Sequence, residues 1–466
     1  MNYEKELAEN STAQKITAKQ LINMIKSPDV NQLKYSGDET TIIIRDYIVQ
    51  DENIIFSESL TVKYRLTFEN CFFVCDKGLF IIGMVCENFL TFENCYFTRG
   101  IYLEDGTFKK ELLLKSIHLE NIHLGGGIYE EIKLSAFDVQ SFWISDAKFK
   151  KLDLETYVGG NDFGDLTIMC SQPDELGDII IANKKFDRIS IYGTNKDKRF
   201  DFKNIECDFL SIINFINAGS LNFFGVKPRK LHNEERYFQI VNSSLEKVQF
   251  FRVYFSQYKE FIILDSLIAD AIFINCKWTN NIRALKGPNF GNYQESIRNG
   301  RKITKDEFNT IKESYRQLKI SMNKQGDKIY EGKFYAEEMN YYNKLLDWTC
   351  PLGNQFWEKV ILHWSRIFSN YGQSFIRPFL FLLIGHFLLF SLAVCLNGLL
   401  PLHYSYSNPT SEGFREAFEK FFIYINPLRR LEMSLTGYLV VIDIFMRVWS
   451  SYMLYNIIRA TRRFIS

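Results

Sequence analysis

From Phe379 to Leu400 the chain reads FLFLLIGHFLLFSLAVCLNGLL, 22 residues (400 − 379 + 1) without one Asp, Glu, Lys or Arg. As a helix this run is about 33 Å long, enough to cross the hydrocarbon core of a bilayer. A second apolar stretch, Leu435–Ile458, lies close behind it. Two such segments predict a C-terminal part embedded in membrane. The opening residues, MNYEKELAENSTAQK, are polar and hold no apolar signal core. The large part before the spans is therefore expected to stay in the cytoplasm. At 466 residues, two or three structural units are expected.

Upstream of the spans the sequence repeats itself. Residues 66–73 read LTFENCFF, 90–97 read LTFENCYF and 117–124 read IHLENIHL, at offsets of 24 (90 − 66) and 27 (117 − 90). A later pair, 238–255 and 261–278, aligns at an offset of 23 (261 − 238). Such periods mark a solenoid. Each copy alternates apolar and polar residues, and bulky side chains recur five apart: Phe68 and Phe73, Phe92 and Phe97, Leu119 and Leu124, Phe250 and Phe255, Phe273 and Trp278. These predict short strands stacked coil on coil, with the bulky residues as an interior stack. Cys71, Cys95 and Cys276 sit two residues before a bulky one and leave room beside it. Asn70, Asn94 and Asn121 recur with the motif, either as a hydrogen-bonded ladder at a corner or as simple turn formers. The 42 Phe residues suit stacked β-structure and lipid-facing helices.

The F-x-x-C-x-F pattern resembles that of the pentapeptide-repeat proteins, which implies a quadrilateral β-helix. Coils of 23 to 27 residues exceed the regular twenty or so of that family, so loops must interrupt the faces. The expected fold is mixed β and α. An N-terminal segment (1–34) has a capping helix at Thr17–Lys26, and an irregular right-handed parallel β-helix runs from about 35 to 278. A linker with a helical hairpin (279–350) and a membrane domain (351–466) follow. Thr304 to Glu307 reads as a capping box, and Phe308, Ile311, Tyr315, Leu318 and Met322 follow at helical spacing. Gly326-Asp327 offers a turn into a second, antiparallel helix, Lys328–Asp347.

YRQLKISMNKQGDKIYEGKFYAEEM (315–339), SNYGQSFIRPFLFLL (369–383) and NIIRATRRFIS (456–466) resemble the linker, first membrane helix and basic tail of certain bacterial membrane proteins. In those, a repeat domain precedes a segment similar to two-helix ion channels. The resemblance spans Tyr315 to the end of the sequence and implies a channel-like architecture.

Charge sets an expected orientation. Arg377 precedes the first span, and Arg459, Arg462 and Arg463 follow the second. The positive-inside rule puts both flanks in the cytoplasm, makes the protein a multi-pass one of the inner membrane, and makes these four arginines candidate contacts for lipid headgroups. Arg415, Lys420, Arg429 and Arg430, between the spans, conflict with that rule. An interfacial amphipathic helix at 412–424, with Phe414, Phe418, Phe421 and Phe422 on one side, resolves the conflict.

No phosphate-binding, dinucleotide, zinc-protease or nucleophile-elbow motif occurs. The expectation is a protein that is not an enzyme, with no catalytic, metal or cofactor residues. The nine cysteines lack CxxC spacing and read as reduced buried thiols. His118 and His123 read as surface or cap residues of a coil. A net charge of +1 gives no field for nucleic acid. His386, in mid-span, is either a packing residue or a proton site. Asp443 and Arg447, four apart, share a helix face and can pair; with His386 they are the candidate pore-lining residues. Arg447 snorkelling from an interfacial Asp443 is the alternative. No potassium-type filter lies between the spans.

Two functions fit. In one, a homo-oligomer lines a pore with its second spans, and the cytoplasmic solenoid senses or gates. In the other, the membrane part only anchors a solenoid scaffold that offers a face to partner proteins. The lipid bilayer is a partner in both.

Overall fold

The computed structural model describes residues 13–28, 33–36, 39–137, 139–154, 162–171, 177–229, 236–279, 282–283, 304–349, 351, 353–396, 411–430 and 437–462. Two compact units divide the chain, one up to residue 295 and one from 296. The first holds a parallel β-solenoid of about nine turns over residues 41–274. Its strands sort into an 18-stranded and an 11-stranded sheet among the described residues.

Each coil is held in step by a column of residues with left-handed backbone at one corner. Asp46, Asn70, Asn94 and Ser116 have φ of 61°, 51°, 54° and 52°. The N–H of each of the first three donates to a carbonyl of the next coil, Glu69, Glu93 and Lys115, at 3.0–3.1 Å. Asn and Asp tolerate this conformation better than other residues with a Cβ, which explains the recurrent Asn of the motif. A side-chain rung exists as well: Asn70 Nδ2 donates to Asp46 Oδ1 at 3.2 Å, and Asn204 Nδ2 to Asn183 Oδ1 at 3.0 Å. Asn121 is not part of this column. It opens the strand Asn121–Gly125, and Ser116 takes the corner.

Between corners the apolar positions face inward and stack. Phe68 pairs with Phe92 across parallel strands, with ring centroids 4.8 Å apart, and Phe73 stacks on Phe97 at 4.7 Å. Further on, Phe202, Phe223, Phe250 and Phe273 form one column at 5.0–5.3 Å intervals. Phe255 stacks on a half-buried Trp278 at 5.0 Å. The cysteine beside each stack points its thiol at a carbonyl one coil back: Cys71 to Ile44, Cys95 to Phe68 and Cys276 to Phe250, at 3.2–3.5 Å. The described cysteines form no disulfide.

The third copy of the motif has a different register from the expected one. Phe92 pairs with Leu114, an offset of 22 (114 − 92), not with Leu119. Leu119 follows the pair Tyr96–His118 and so lies level with Phe97. Leu124 belongs to the other sheet, between Leu103 and Ile144. Both leucines are buried. The run Leu112-Leu113-Leu114 pairs residue for residue with Leu90-Thr91-Phe92, its first and third side chains buried as theirs are, and this period, not the letters E-N, sets the pairing.

The first open coil is covered by α1 (Ala18–Lys26). Thr17 and Gln20 form a full capping box at its start, and Leu21 and Ile25 are buried beneath it. Ala18 N donates to Asp51 Oδ2 at 3.3 Å. Past Trp278, a short strand Ile282–Arg283 pairs with Phe261–Ile262. Most of the expected linker, 284–303, lies outside the described residues.

The second unit opens with an antiparallel hairpin, α2 (Lys305–Gln325) and α3 (Lys328–Leu345). Thr304 and Glu307 make the capping box, Gly326 ends α2 with φ 76°, and Asp327 caps α3. Ile311, Tyr315, Leu318 and Met322 are buried, and Lys319 pairs with Glu338 at 2.7 Å. Four helices follow: α4 (Asn354–Ser369), α5 (Ile376–Cys395), α6 (Ser411–Ile425) and α7 (Tyr438–Arg462).

Phe92→Ala is expected to cost about 3–5 kcal/mol, because the ring lies between two coils that cannot collapse onto the gap. At the corner, Asn94→Val should cost about 1–2 kcal/mol while Asn94→Gly is tolerated. Chemical denaturation of the three variants beside the parent checks both.

Candidate functional site

Helices α5 and α7 are apolar on the outside as well as the inside, whereas α6 mixes exposed Phe with exposed Glu412, Arg415 and Glu419. Inside, Phe390 and Val394 of α5, Tyr424 of α6, and Leu439 and Met446 of α7 form one cluster, and Leu382, Met453 and Phe368 of α4 form another. Outside, Ile376, Leu380, Ile384, Phe387 and Leu388 of α5 are exposed, as are Val441, Ile444, Phe445, Val448, Tyr455 and Ile458 of α7. On α6, Phe414, Phe418 and Phe422 are exposed, while Phe421 turns inward against Phe390 and His386. Exposed apolar surface on this scale marks a face that meets a membrane or another molecule.

Among the described residues one helix, α5, is long and apolar enough to cross a membrane, where the sequence led us to expect two. It starts three residues earlier than expected (379 − 376), and residues 397–400 of the predicted span lie outside the described ones. α7 falls short because Asp443, Arg447 and Asn456 dilute its apolar character. Residues 435–436 of its predicted span also lie outside the described ones.

Close contact between α5 and α7 depends on Gly385. A Cβ there would collide with the Trp449 indole, whose Nε1–H donates to the Phe381 carbonyl at 3.1 Å. Small residues serve this purpose between membrane helices. His386 is fully buried one residue on, with its ring 5.1 Å from Phe421. It sits in helix packing, with aromatic neighbours.

Asp443 and Arg447 do pair, Arg447 Nε to Asp443 Oδ2 at 2.7 Å. The sequence reading missed the third member. Arg429, from the turn after α6, meets the other carboxylate oxygen of Asp443 and lays its guanidinium over the Tyr424 ring at 4.0 Å. Asp443 is 1% exposed. Arg447 also donates to the carbonyls of Pro427 (3.2 Å), Arg429 (2.6 Å) and Arg430 (3.2 Å). One carboxylate and two guanidiniums thus clasp the turn after α6 onto α7 within a single chain. Arg429, one of the basic residues between the two predicted spans, thus shares the Asp443 carboxylate with Arg447.

Helix α4 was also unforeseen, although its signal was present. Trp357, Ile361 and Trp364 recur at four- and three-residue steps and are exposed on one side. With Val360 and Phe368, and with Leu388, Phe445 and Val448 of α5 and α7, they line an apolar groove of about 660 Å³.

The candidate headgroup arginines separate. Arg377 is exposed, its N–H donating to Ser374 Oγ at 3.2 Å. Arg459 and Arg462 line a cationic pocket with the hairpin. Arg463 lies outside the described residues.

On the solenoid, the two histidines lie on different sheets. His118 continues an outward column with Phe72 and Tyr96, and His123 one with Phe80, Tyr102 and Trp143. His123 Nε2 is 3.2 Å from Ser145 Oγ, and its Nδ1 is 3.8 Å from Glu104 Oε1. The order Ser–His–carboxylate resembles a hydrolytic triad. However, the strand of Ser145 is paired on both sides, so its amides are spent in the ladder and none is left to hold an oxyanion. Among the described residues no cluster of His, Cys, Asp and Glu has metal-binding geometry.

No family profile, curated protein or solved structure matches the chain. The resemblance to repeat-bearing, channel-like membrane proteins therefore rests on the quoted motifs.

Asp443→Asn should destabilise the second unit by about 3 kcal/mol, because it leaves the largely buried Arg429 and the partly buried Arg447 without their shared counter-charge. Asp443→Glu keeps the charge and should recover part of that loss. Gly385→Leu should separate α5 from α7. Thermal unfolding of the detergent-solubilised protein checks the first two, and Trp449 fluorescence the third.

Proposed function

We propose that the chain is an integral membrane protein, without a catalytic role, whose helices α5 to α7 enter the lipid and whose solenoid is a cytoplasmic sensing or docking domain. The observation that carries this reading is the band of exposed aliphatic and aromatic side chains around α5 and α7, which water would not tolerate. In this reading α7 is the second membrane helix, with the charge clasp close to one interface. Both termini are cytoplasmic in the inner membrane, α6 dips into the lipid from the side on which the clasp lies, with Phe421 against His386, and the β-solenoid winds right-handed as parallel crossovers do.

Two forms of this reading differ in what the membrane part does. As a channel, it must assemble as a homo-oligomer, since two membrane helices cannot enclose a conduit, and Asp443, Arg447 and His386 would line it. As an anchor, it only holds the solenoid at the membrane for partner proteins. The clasp favours the anchor: Asp443 finds its counter-charges in its own chain and needs no water-filled lumen.

Purified protein reconstituted in a planar bilayer should give no conductance if it is an anchor, and should be monomeric in detergent. A stable oligomer with conductance that Asp443→Asn alters would restore the channel. The membrane reading itself is checked by flotation with liposomes after alkaline carbonate washing. Protein left in the soluble fraction would end both forms.

A further inference from the structure

The structure assigns a binding site for a phosphate group to the cationic pocket where the hairpin α2–α3 meets the end of α7. The pocket holds about 430 Å³ and is lined by Lys319, Lys328, Glu331, Gly332, Tyr335, Gly372, Gln373, Arg459 and Arg462. Three parts of the second unit build it: the hairpin, the turn between α4 and α5, and the last turns of α7.

Four cations and one carboxylate converge there. Lys328 meets Glu331 at 2.9 Å, and Lys319 is held by Glu338 at 2.7 Å from outside the lining. Arg459 and Arg462 have no carboxylate partner among the described residues, so two guanidiniums remain to be answered. Arg459 is fixed in place by an aromatic face, its guanidinium carbon 5.4 Å over the Tyr335 ring. A planar donor fork held in this way suits the bidentate recognition of phosphate oxygens.

Two glycines keep the site closed up. A Cβ on Gly372 would lie 3.0 Å from Arg459 Nε, and one on Gly332 would lie 2.9 Å from the Gln373 side-chain amide. Any side chain at these positions would push the arginine or the amide away. Like charges lining one pocket repel, and an anion seated among them relieves that repulsion. A bound phosphate would tie hairpin, turn and α7 together as one clamp.

The chemistry is that of a phosphate, which a lipid headgroup or a soluble phosphate compound could supply. The pocket stands apart from the membrane reading, since its lining packs together whether or not α5 enters lipid.

The test uses the full chain in neutral detergent and reads modification of Arg459 and Arg462 by phenylglyoxal, site by site, by mass spectrometry. The probes are inorganic phosphate, ATP, and micelles doped with phosphatidylglycerol, each beside chloride at equal ionic strength. Protection by at least one phosphate probe beyond chloride is expected. Protection by phosphatidylglycerol alone identifies a headgroup, and protection by ATP or inorganic phosphate a soluble ligand. In Arg462→Gln, the concentration that protects Arg459 should rise about tenfold, as the loss of one charge-assisted contact demands. Arg415→Gln, which removes an exposed charge outside the pocket, should leave it unchanged. Equal protection by chloride, no protection by any probe, or the same shift in both variants would overturn the assignment.

Discussion

Parallel stacking of one coil on the next is the constraint on which the solenoid of the first unit depends. A coil that slips by one residue turns its Phe outward and its Glu inward, so the side chains police the register. The left-handed corners make the coils equal in path even when they differ in length. Offsets of 24 and 22 residues coexist because Asn94 and Ser116 adopt the same conformation at the same place. Length varies in the loops, and the corner restores the phase.

In the second unit α5 and α7 carry apolar side chains on their outer as well as their inner faces, and shape and polar contacts help to fix which faces meet. Gly385 provides shape by admitting Trp449, and the Asp443–Arg429–Arg447 clasp provides a polar contact that only one arrangement satisfies. Truncating any one member exposes the cost of burying the others.

The sequence makes some of this legible and hides the rest for physical reasons. Phe68, Phe92, Phe250 and Phe273 could be placed because stacking writes the same residue type at the same phase. Leu119 and Leu124 could not, because leucine fits either sheet and the E-N letters recur at more than one kind of corner. The capping boxes at Thr17 and Thr304 are local and read directly. The Asp443–Arg447 pair is local too, four residues on one helix, whereas Arg429 joins it across a turn that no spacing rule reaches. Helix α4 is written in the four- and three-residue steps of Trp357, Ile361 and Trp364, a short amphipathic signal beside a much longer apolar run.

The thiols that point at the preceding coil carry a further consequence. Cys71, Cys95 and Cys276 lie at opposite ends of the solenoid, each closed off by the coil stacked beside it, and burial holds the Cys276 thiol up at about 11. A thiol of that kind reacts only when its own coil opens. Solenoids fray from their ends, each turn resting on its neighbours alone. The rates at which these three cysteines react with a thiol reagent therefore form a native clock for unravelling.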